Sequence, residues 1–277
     1  MSDIRLYRRL TLRATALTFS ALVAFSAPVL AQNTEPAKKA DSVLTRGDVE
    51  SIVRDFITQN PQLILTSVDA YQQRTMQEQQ TAAVEMNKDR LFRNERSPFI
   101  GNEKGDVTIV EFFDYNCGYC KKVLPELQAL VKEDPNVKIV FKELPILGPS
   151  SELAAKWALA AHRQSKYFEF HSLLMKHQGQ INADVLTRLA TEAGLNVDKA
   201  RQDAEGTEVL ISLEQNRSLA SQMNINGTPA FVLGEEIVPG ALPLSEMKVK
   251  IQELRRKNAA TGAPTPAPTP TPAPEKK

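Results

Sequence analysis

Residues 107–132, which read VTIVEFFDYNCGYCKKVLPELQALVK, decide the fold. The β-branched and aromatic run Val107–Phe113 is typical of a buried strand, and Lys121–Lys132 has helical character. A second run of strand character, Val137–Lys142, follows that helix. The order strand, helix, strand predicts a parallel pair of strands, so the predicted fold class is α/β.

The two cysteines of the chain, Cys117 and Cys120, lie between the predicted strand and the predicted helix. Unpaired amides and the helix dipole favour an anion at a helix N-terminus, so we expect the pKa of the Cys117 thiol to lie below its ordinary value of about 8.5. Cys120 lies one turn further along, within disulfide reach. It can therefore attack a mixed disulfide formed at Cys117 and release the partner.

A zinc site and a purely structural disulfide are the alternatives for this cysteine pair. Two cysteines cannot complete a four-cysteine site, and His162, His171 and His177 lack the short spacing of finger-type sites. A bridge across two residues would close a very small loop and stabilise the chain little. The sequence therefore predicts redox chemistry without a metal or a dissociable cofactor, although such a dithiol can also take Cu(I).

The first residues predict export. Four arginines precede an apolar run, Ala14–Leu30, that is short for a membrane span and ends in small residues, so residues 1–31 are interpreted as a signal peptide cleaved near Ala31. Export places the two thiols in an oxidising compartment. The whole chain carries 34 basic and 33 acidic side chains, a balance that argues against a nucleic-acid partner.

The rest of the chain divides into regions of different composition. The predicted regions are a flexible leader at 32–44, a helical segment at 45–97, an α/β domain at 98–258 and a disordered tail rich in Pro, Thr and Ala at 259–277. Helical patterns at about 150–225 exceed what a crossover needs, which predicts a helical insertion. The remaining elements are predicted as helices at Ser151–His177, Ala183–Ala193, Glu208–Met223 and Leu244–Arg256, and a β-hairpin at Ala230–Leu233 and Glu236–Val238.

Two amphipathic helices are predicted at 45–97, with a break at Asn60–Pro61. Thr45 and Asp48 form a candidate N-terminal cap for the first helix. Apolar residues at three- and four-residue spacing follow this cap, and such a stripe must be covered by the chain's own domain or by another copy of the chain. We expect self-association through these helices, with docking onto the chain's own domain as the alternative.

Residues 112–122, FFDYNCGYCKK, and 227–231, GTPAF, resemble the thioredoxin-fold disulfide oxidoreductases of the bacterial envelope, the DsbA-like family. The resemblance covers about residues 106–257. It implies a thioredoxin fold with an inserted helical subdomain and a periplasmic location. It also implies that Pro229 is cis and lies against the cysteine pair, and that the Thr228 backbone presents hydrogen bonds to a bound peptide.

Glu111 stands six residues before Cys117, where the family has a buried acid beneath the second cysteine. Burial in an apolar strand would raise the pKa of Glu111, which could then relay the proton that Cys120 must lose. Alternation along the strand does not decide whether Glu111 faces inward or outward. Lys142 in the next strand is a possible partner for Glu111.

Gly118 and Tyr119, between the cysteines, are expected to set the redox poise and to contact substrate. The same residues, and threonine before the proline, also occur in the family's disulfide isomerases, and the arrangement resembles their oligomeric and copper-tolerance branch. Isomerisation and oxidation both stay open, and a periplasmic chaperone or copper-binding protein is the alternative class. The expected partners are exported proteins that contain cysteine, and a membrane redox partner that recycles the dithiol.

Overall fold

The computed structural model describes residues 43–261. The predicted signal peptide, residues 32–42 of the predicted leader and residues 262–277 of the predicted tail lie outside this range. The described helices are α1 (Arg46–Gln59), α2 (Pro61–Met86), α3 (Lys88–Phe92), α4 (Gly118–Glu133), α5 (Pro149–His162), α6 (Tyr167–Lys176), α7 (Ala183–Glu192), α8 (Val197–Ala204), α9 (Thr207–Gln222) and α10 (Leu244–Thr261). The described strands are β1 (Phe99–Gly101), β2 (Val107–Phe113), β3 (Val137–Glu143), β4 (Ala230–Leu233) and β5 (Glu236–Pro239).

The five strands form one sheet in the order β1-β3-β2-β4-β5. β2 pairs in parallel with β3, from Val107 opposite Val137 to Phe113 opposite Glu143, and antiparallel with β4. The predicted strand–helix–strand unit and the β4–β5 hairpin are therefore confirmed. β2 lies in the middle of the sheet, which explains why both of its faces are apolar.

Helices α5 to α9 form the predicted helical insertion between β3 and β4. The helical patterns predicted over Ser151–His177 correspond to two helices, α5 and α6, because the chain turns between them and Ser165 has a left-handed backbone with φ of 56°. The last helix runs to Thr261 instead of Arg256, so residues 259–261 are helical where a disordered tail was predicted.

Each face of the sheet is covered by its own hydrophobic cluster. One cluster contains both cysteines together with side chains of β2, α4 and the helical insertion. The other contains Val110 and Phe112 of β2 with Ala83, Val84 and Leu91 of α2 and α3. The C-terminal end of α2 is thus packed onto the sheet, in part as the docking alternative expects.

Helix α1 belongs to a different compact unit from the one that begins at Pro61 and contains the sheet. The predicted cap is confirmed, because the Asp48 amide donates to Thr45 Oγ1 at 3.3 Å and the Thr45 amide donates to Asp48 Oδ2 at 2.9 Å. The apolar side chains of α1 are 45–55% exposed, namely Val49, Ile52, Val53, Phe56 and Ile57. Within residues 43–261, every helix is too short or too polar to be a membrane span.

One ion-pair cluster fastens the last helix to the sheet domain. The Arg255 guanidinium donates to Asp106 at 2.7 and 2.8 Å and to Asp134 at 2.7 and 3.1 Å. These contacts join α10 to the residue before β2 and to the end of α4. Arg255 therefore ties the start of β2 and the end of α4, the two elements that flank the cysteines, to the last helix.

Candidate active site

Cys117 is the N-cap residue of α4, at the junction where β2 gives way to the helix. The Cys120 amide donates to Cys117 Sγ at 3.4 Å, and the Cys117 amide donates to the Asp114 carbonyl at 3.1 Å. The hydrogen bond with the Cys120 thiol, followed by that with the Cys120 amide, lowers the pKa of Cys117 to about 5, although burial opposes the shift. The sulfur is placed where a thiolate is stabilised.

Cys120 differs from Cys117 in its surroundings. Its side chain lies inside the hydrophobic cluster and is 1% exposed. Burial raises the pKa of the Cys120 thiol far above its ordinary value, and the hydrogen bond with Cys117 and the charge of Glu111 act in the same direction. The two thiols of one motif are therefore a stabilised thiolate and a buried, protonated thiol.

The residue pair Thr228 and Pro229 meets the cysteine motif across 111 residues of sequence. The peptide bond between them is cis, which confirms what the resemblance implies. The Cys117 thiol donates to the Thr228 carbonyl at 3.2 Å. Pro229 directly precedes β4, which pairs with β2, so the sheet brings this turn to the end of the strand that leads into Cys117.

Glu111 points into the cluster that contains both cysteines. It is 2% exposed, and its neighbours in the sheet are Phe141 and Phe231. Burial, followed by the charge of Cys117, raises the pKa of Glu111 to about 8. The outward-facing alternative is therefore excluded.

Lys142, which the sequence offered as a possible partner for Glu111, does not pair with it. Lys142 stands opposite Phe112 in the register, and successive side chains of a strand point to opposite faces, so Lys142 lies on the other side of the sheet. Its ammonium group donates to the Arg90 carbonyl at 2.8 Å and to the Ser97 hydroxyl at 2.8 Å. Lys142 fastens α3 and the segment after it to the sheet.

Gly118 and Tyr119 lie on the outer side of the motif. A Cβ atom added at Gly118 would have no heavy atom within 4 Å apart from the adjacent backbone of its own helix. Tyr119 is 64% exposed, and the Lys122 ammonium lies 5.5 Å from the centre of its ring. Both residues are accessible to a molecule that approaches Cys117.

A buried polar network next to the motif was not predicted. Glu143 Oε1 accepts hydrogen bonds from the hydroxyls of Tyr167 at 2.8 Å and Tyr115 at 3.0 Å, and the Tyr115 hydroxyl lies 3.0 Å from His171 Nδ1. Burial raises the pKa of Glu143 and lowers that of His171 to about 3, so this network favours neutral groups. In the sequence, Glu143 only follows the predicted strand Val137–Lys142, and no pattern distinguishes it.

Asp114, the residue after β2, is a second residue that the sequence reasoning missed. It is 1% exposed, and its carboxyl group accepts four hydrogen bonds: one from the Asn116 amide, two from amides of the loop between β3 and α5, and one from the Ser151 hydroxyl at the start of α5. In the sequence it only marks the end of a strand. Among residues 43–261, no three or more His, Cys, Asp or Glu side chains are grouped in a way that could hold a metal ion.

Comparison with known proteins identifies the family. Residues 108–252 match the profile of the DSBA-like thioredoxin domain, which is more than half of the chain. The chain belongs to the DsbA-like family. It is therefore a member of a family of thiol-disulfide oxidoreductases with a thioredoxin fold and a helical insertion.

Solved structures share this fold. A thioredoxin-like oxidoreductase from Silicibacter pomeroyi DSS-3 is 44% identical with a TM-score of 0.60, and the match covers 61% of this chain and 98% of that one. A linker-deletion variant of ScsC from Proteus mirabilis is 26% identical with a TM-score of 0.62, and the match covers 79% of this chain and 100% of the ScsC chain. The thiol-disulfide exchange protein α-DsbA2 from Wolbachia pipientis is 28% identical with a TM-score of 0.61, covering 64% and 97%.

Curated relatives match over shorter stretches. The Na(+)/H(+) antiporter NhaA 1 of Salinispora arenicola is 29% identical over 133 residues, which are 47% of this chain and 20% of the antiporter. Disulfide bond formation protein D of Bacillus subtilis is 24% identical over 168 residues, 56% of this chain and 76% of that protein. The chain thus spans about a fifth of the antiporter's length.

Proposed function

We propose that this chain catalyses thiol-disulfide exchange in cysteine-containing exported proteins of the periplasm, with Cys117 as the nucleophile and Cys120 as the resolving thiol. The asymmetry of the pair carries the proposal. Cys117 caps a helix, and its pKa is lowered to about 5, whereas Cys120 is buried and protonated. A thiolate attacks disulfides, whereas a buried, protonated thiol does not react until a mixed disulfide has formed at Cys117 and its proton is removed.

The first step is attack of the Cys117 thiolate on one sulfur of a substrate disulfide. The substrate S–S bond breaks, one substrate thiolate leaves, and a mixed disulfide forms between Cys117 and the other substrate sulfur. In isomerisation, a substrate thiolate then attacks this mixed disulfide and regenerates the Cys117 thiolate. Alternatively, Cys120 attacks Cys117 Sγ, the substrate leaves as a thiolate, and the protein is left with a disulfide. A substrate is oxidised by the same steps in reverse.

Glu111 is proposed to take the proton that Cys120 loses. The negative charge of Cys117 is one of the two causes that raise the pKa of Glu111. Formation of the mixed disulfide removes this charge, so Glu111 then ionises more readily and becomes a base at the stage when Cys120 must be deprotonated. The substrate backbone is proposed to pair with Thr228 beside cis-Pro229, and Gly118 and Tyr119 to contact the substrate from the outer side.

We further propose that the helical segment at 45–97 joins copies of the chain into a homo-oligomer that favours isomerisation, and that a membrane redox partner recycles the dithiol. The apolar stripe of α1 supports self-association because its five side chains are about half exposed. Several active sites in one assembly suit reshuffling, in which a substrate is attacked repeatedly.

Refolding of a substrate with scrambled disulfides tests the exchange activity. Wild-type protein should restore the native pairing, Cys117→Ser should be inactive, and Cys120→Ser should accumulate a mixed disulfide with the substrate. Equal refolding by wild-type protein and Cys117→Ser would contradict the enzymatic proposal and favour a chaperone. Oxidation of a reduced substrate, measured in parallel, separates an oxidase from an isomerase.

A further inference from the structure

The chain has one Asn–Gly pair, Asn226–Gly227, and it lies in the loop that leads into cis-Pro229. This loop connects α9 to β4, and both residues of the pair are exposed. Asparagine is among the thermolabile residues, because the backbone nitrogen of the next residue can attack its side-chain carbonyl carbon. Glycine in that next position has no Cβ to obstruct the approach, so an Asn–Gly pair is especially open to this attack.

The surroundings of the pair leave the attack unobstructed. Within residues 43–261, the Gly227 amide makes no hydrogen bond, and a Cβ atom added at Gly227 would have no heavy atom within 4 Å apart from its chain neighbours. The Asn226 side-chain amide donates to Asn224 Oδ1 at 2.9 Å and to the Asn224 carbonyl at 3.3 Å. Both bonds are exposed, so water replaces them at little cost in free energy.

Both ends of the loop are fixed. On one side, Ile225 is buried and its amide donates to the Ala220 carbonyl at 2.8 Å. On the other side, the Pro229 carbonyl accepts from the Gly240 amide at 2.8 Å. Thr228 lies between these ends, and its carbonyl is 3.2 Å from the reactive sulfur. A main chain that becomes longer between the two fixed ends must therefore change the position of Thr228.

We propose that Asn226 is a site of spontaneous deamidation, attacked by the Gly227 nitrogen with water as the co-reactant, and that isoaspartate formed there displaces the Thr228 carbonyl from Cys117 and slows disulfide exchange. Only the effect on exchange rests on the proposed function. The modification itself depends on the Asn226–Gly227 pair alone. It limits the time for which the protein stays active.

The reaction is an acyl transfer in which nothing is oxidised or reduced. The Gly227 nitrogen loses its proton to water and bonds to Asn226 Cγ, the Cγ–Nδ2 bond breaks, and Nδ2 takes up a proton and leaves as ammonia. Water then opens the five-membered imide. Opening at Cγ gives aspartate, with the main chain unchanged. Opening at the backbone carbonyl carbon of residue 226 gives isoaspartate, whose main chain passes through Cβ and Cγ and is one atom longer.

The two products should differ in their effect on Cys117. Aspartate adds only a charge, and because position 226 is exposed, water and salt screen that charge. Isoaspartate adds the same charge and also lengthens the chain next to Thr228. The hydrogen bond with Thr228 is one of the causes that lower the pKa of Cys117, so its loss should make the thiolate less stable.

Storage of the full chain at mildly alkaline pH tests this inference, because the Gly227 nitrogen must lose its proton before it attacks. Each sample is reduced with dithiothreitol before measurement, so that oxidised thiols do not contribute. One tryptic peptide carries both Asn224 and Asn226, and Asn224, which is followed by isoleucine, is the internal control. Peptide mapping, refolding of a scrambled substrate and the pH profile of Cys117 alkylation are measured on the same samples.

Asn226 should be converted with release of ammonia while Asn224 stays intact. The refolding rate should fall in proportion to the isoaspartate fraction, and the midpoint of Cys117 alkylation in that fraction should shift to higher pH. Fresh Asn226→Asp should refold the substrate within about twofold of the wild-type rate.

Gly227→Ala is the matched variant. Gly227 does not have a positive φ and its surroundings are open, so alanine fits there. Its Cβ should slow the conversion of Asn226 by about tenfold, which corresponds to about 1.4 kcal/mol in the barrier. The variant should therefore keep its activity correspondingly longer than the wild type.

Three outcomes would overturn the inference. It is wrong if Asn226 and Asn224 are converted at equal rates, if protein with isoaspartate refolds substrate and is alkylated like fresh protein, or if Gly227→Ala loses activity as fast as wild type. Asn226→Ala, which cannot form the imide, replaces the last comparison if Gly227→Ala does not fold. Fresh wild-type protein that does not refold the substrate contradicts the proposed function instead, and the alkylation profile then decides whether isoaspartate disturbs Cys117.

Discussion

At the scale of single residues, the candidate site depends on how two identical side chains acquire different chemistry. Cys117 receives the amide of the first helical turn, whereas Cys120 points into the hydrophobic cluster. The three-residue spacing indicated this division, because only the first cysteine can cap the helix. Glu111, which lies beneath the pair, is therefore close to one thiol that ionises readily and to one that stays protonated.

Glu111→Gln should slow the attack of Cys120 on the mixed disulfide by about 100-fold, the usual contribution of a positioned base. The first attack by Cys117 does not need this base, so alkylation of Cys117 by iodoacetamide should stay close to the wild-type rate. Rapid-quench measurement of the mixed disulfide separates the two steps. Equal lifetimes of the mixed disulfide in variant and wild type would exclude Glu111 as the proton acceptor.

The same substitution should change stability with pH. The pKa of Glu111 is about 8 in the folded chain against an ordinary value of 4.5, so between these values the folded state holds a proton that the unfolded state has lost. The wild-type free energy of unfolding should therefore fall as pH rises from 5 to 8, by on the order of 3 kcal/mol relative to Glu111→Gln. Urea titrations at several pH values measure this, with exposed Glu50→Gln as the control. A pH-independent difference would show that Glu111 ionises normally.

At the residue scale, the sequence did not predict which face of β2 meets the cysteines, and so did not place Glu111. Alternation puts Glu111 on the same face as Ile109 and Phe113, but an apolar strand has two similar faces, and only the register with β3 and β4 shows which one meets the cysteines. Asp114 had no periodic signal, because its role comes from amides that lie more than 30 residues away. Contacts of that range are set by the tertiary fold.

At the scale of elements, local patterns were reliable where they were long and strongly periodic. β2, α4 and β3 were predicted because their apolar residues recur without interruption. α8 was missed because it is eight residues long with only Ala200 and Ala204 buried, and β1 because three residues cannot show alternation. Asn196, whose side chain caps α8, was the available signal for that helix.

The apolar stripe of α1 leads to an element-scale prediction. Ile52→Glu with Phe56→Glu should prevent self-association, because two charges would enter the proposed contact between copies. Thermal stability of the sheet domain should be unchanged, since neither side chain is buried. Ser51→Glu with Thr58→Glu adds the same charge to the polar face and should leave the assembly intact. Sedimentation velocity distinguishes the species, and a wild-type monomer at micromolar concentration would contradict the proposed assembly.

At the scale of the whole molecule, folding and redox state are linked through one charge. Folding lowers the pKa of Cys117, so the folded, reduced protein gains stability that is fully present above the ordinary thiol pKa and declines as pH falls towards about 5. The disulfide form has no thiolate and lacks this contribution. A stabilised thiolate therefore makes the folded protein a better oxidant.

Unfolding of the two redox states tests this linkage. The difference in free energy of unfolding, reduced minus oxidised, should increase as pH rises from 5 towards 8, because only the reduced state contains the Cys117 thiolate, and should stop increasing near pH 8.5, where the thiols of the unfolded chain also ionise. Guanidinium titrations of both states at matched pH measure it, and Cys117→Ser should show no such increase. A difference that stays constant over this range would mean that the fold does not stabilise the thiolate.

The ionisation of Cys117 tests the account most directly. The rate of iodoacetamide alkylation at Cys117, followed by mass spectrometry of the reduced protein from pH 3 to pH 10, should reach half its maximum near pH 5, while Cys120 stays unmodified. Half-maximal alkylation near pH 8.5, where an ordinary cysteine thiol with a pKa of about 8.5 ionises, would contradict the claim that the helix N-terminus makes Cys117 a nucleophile.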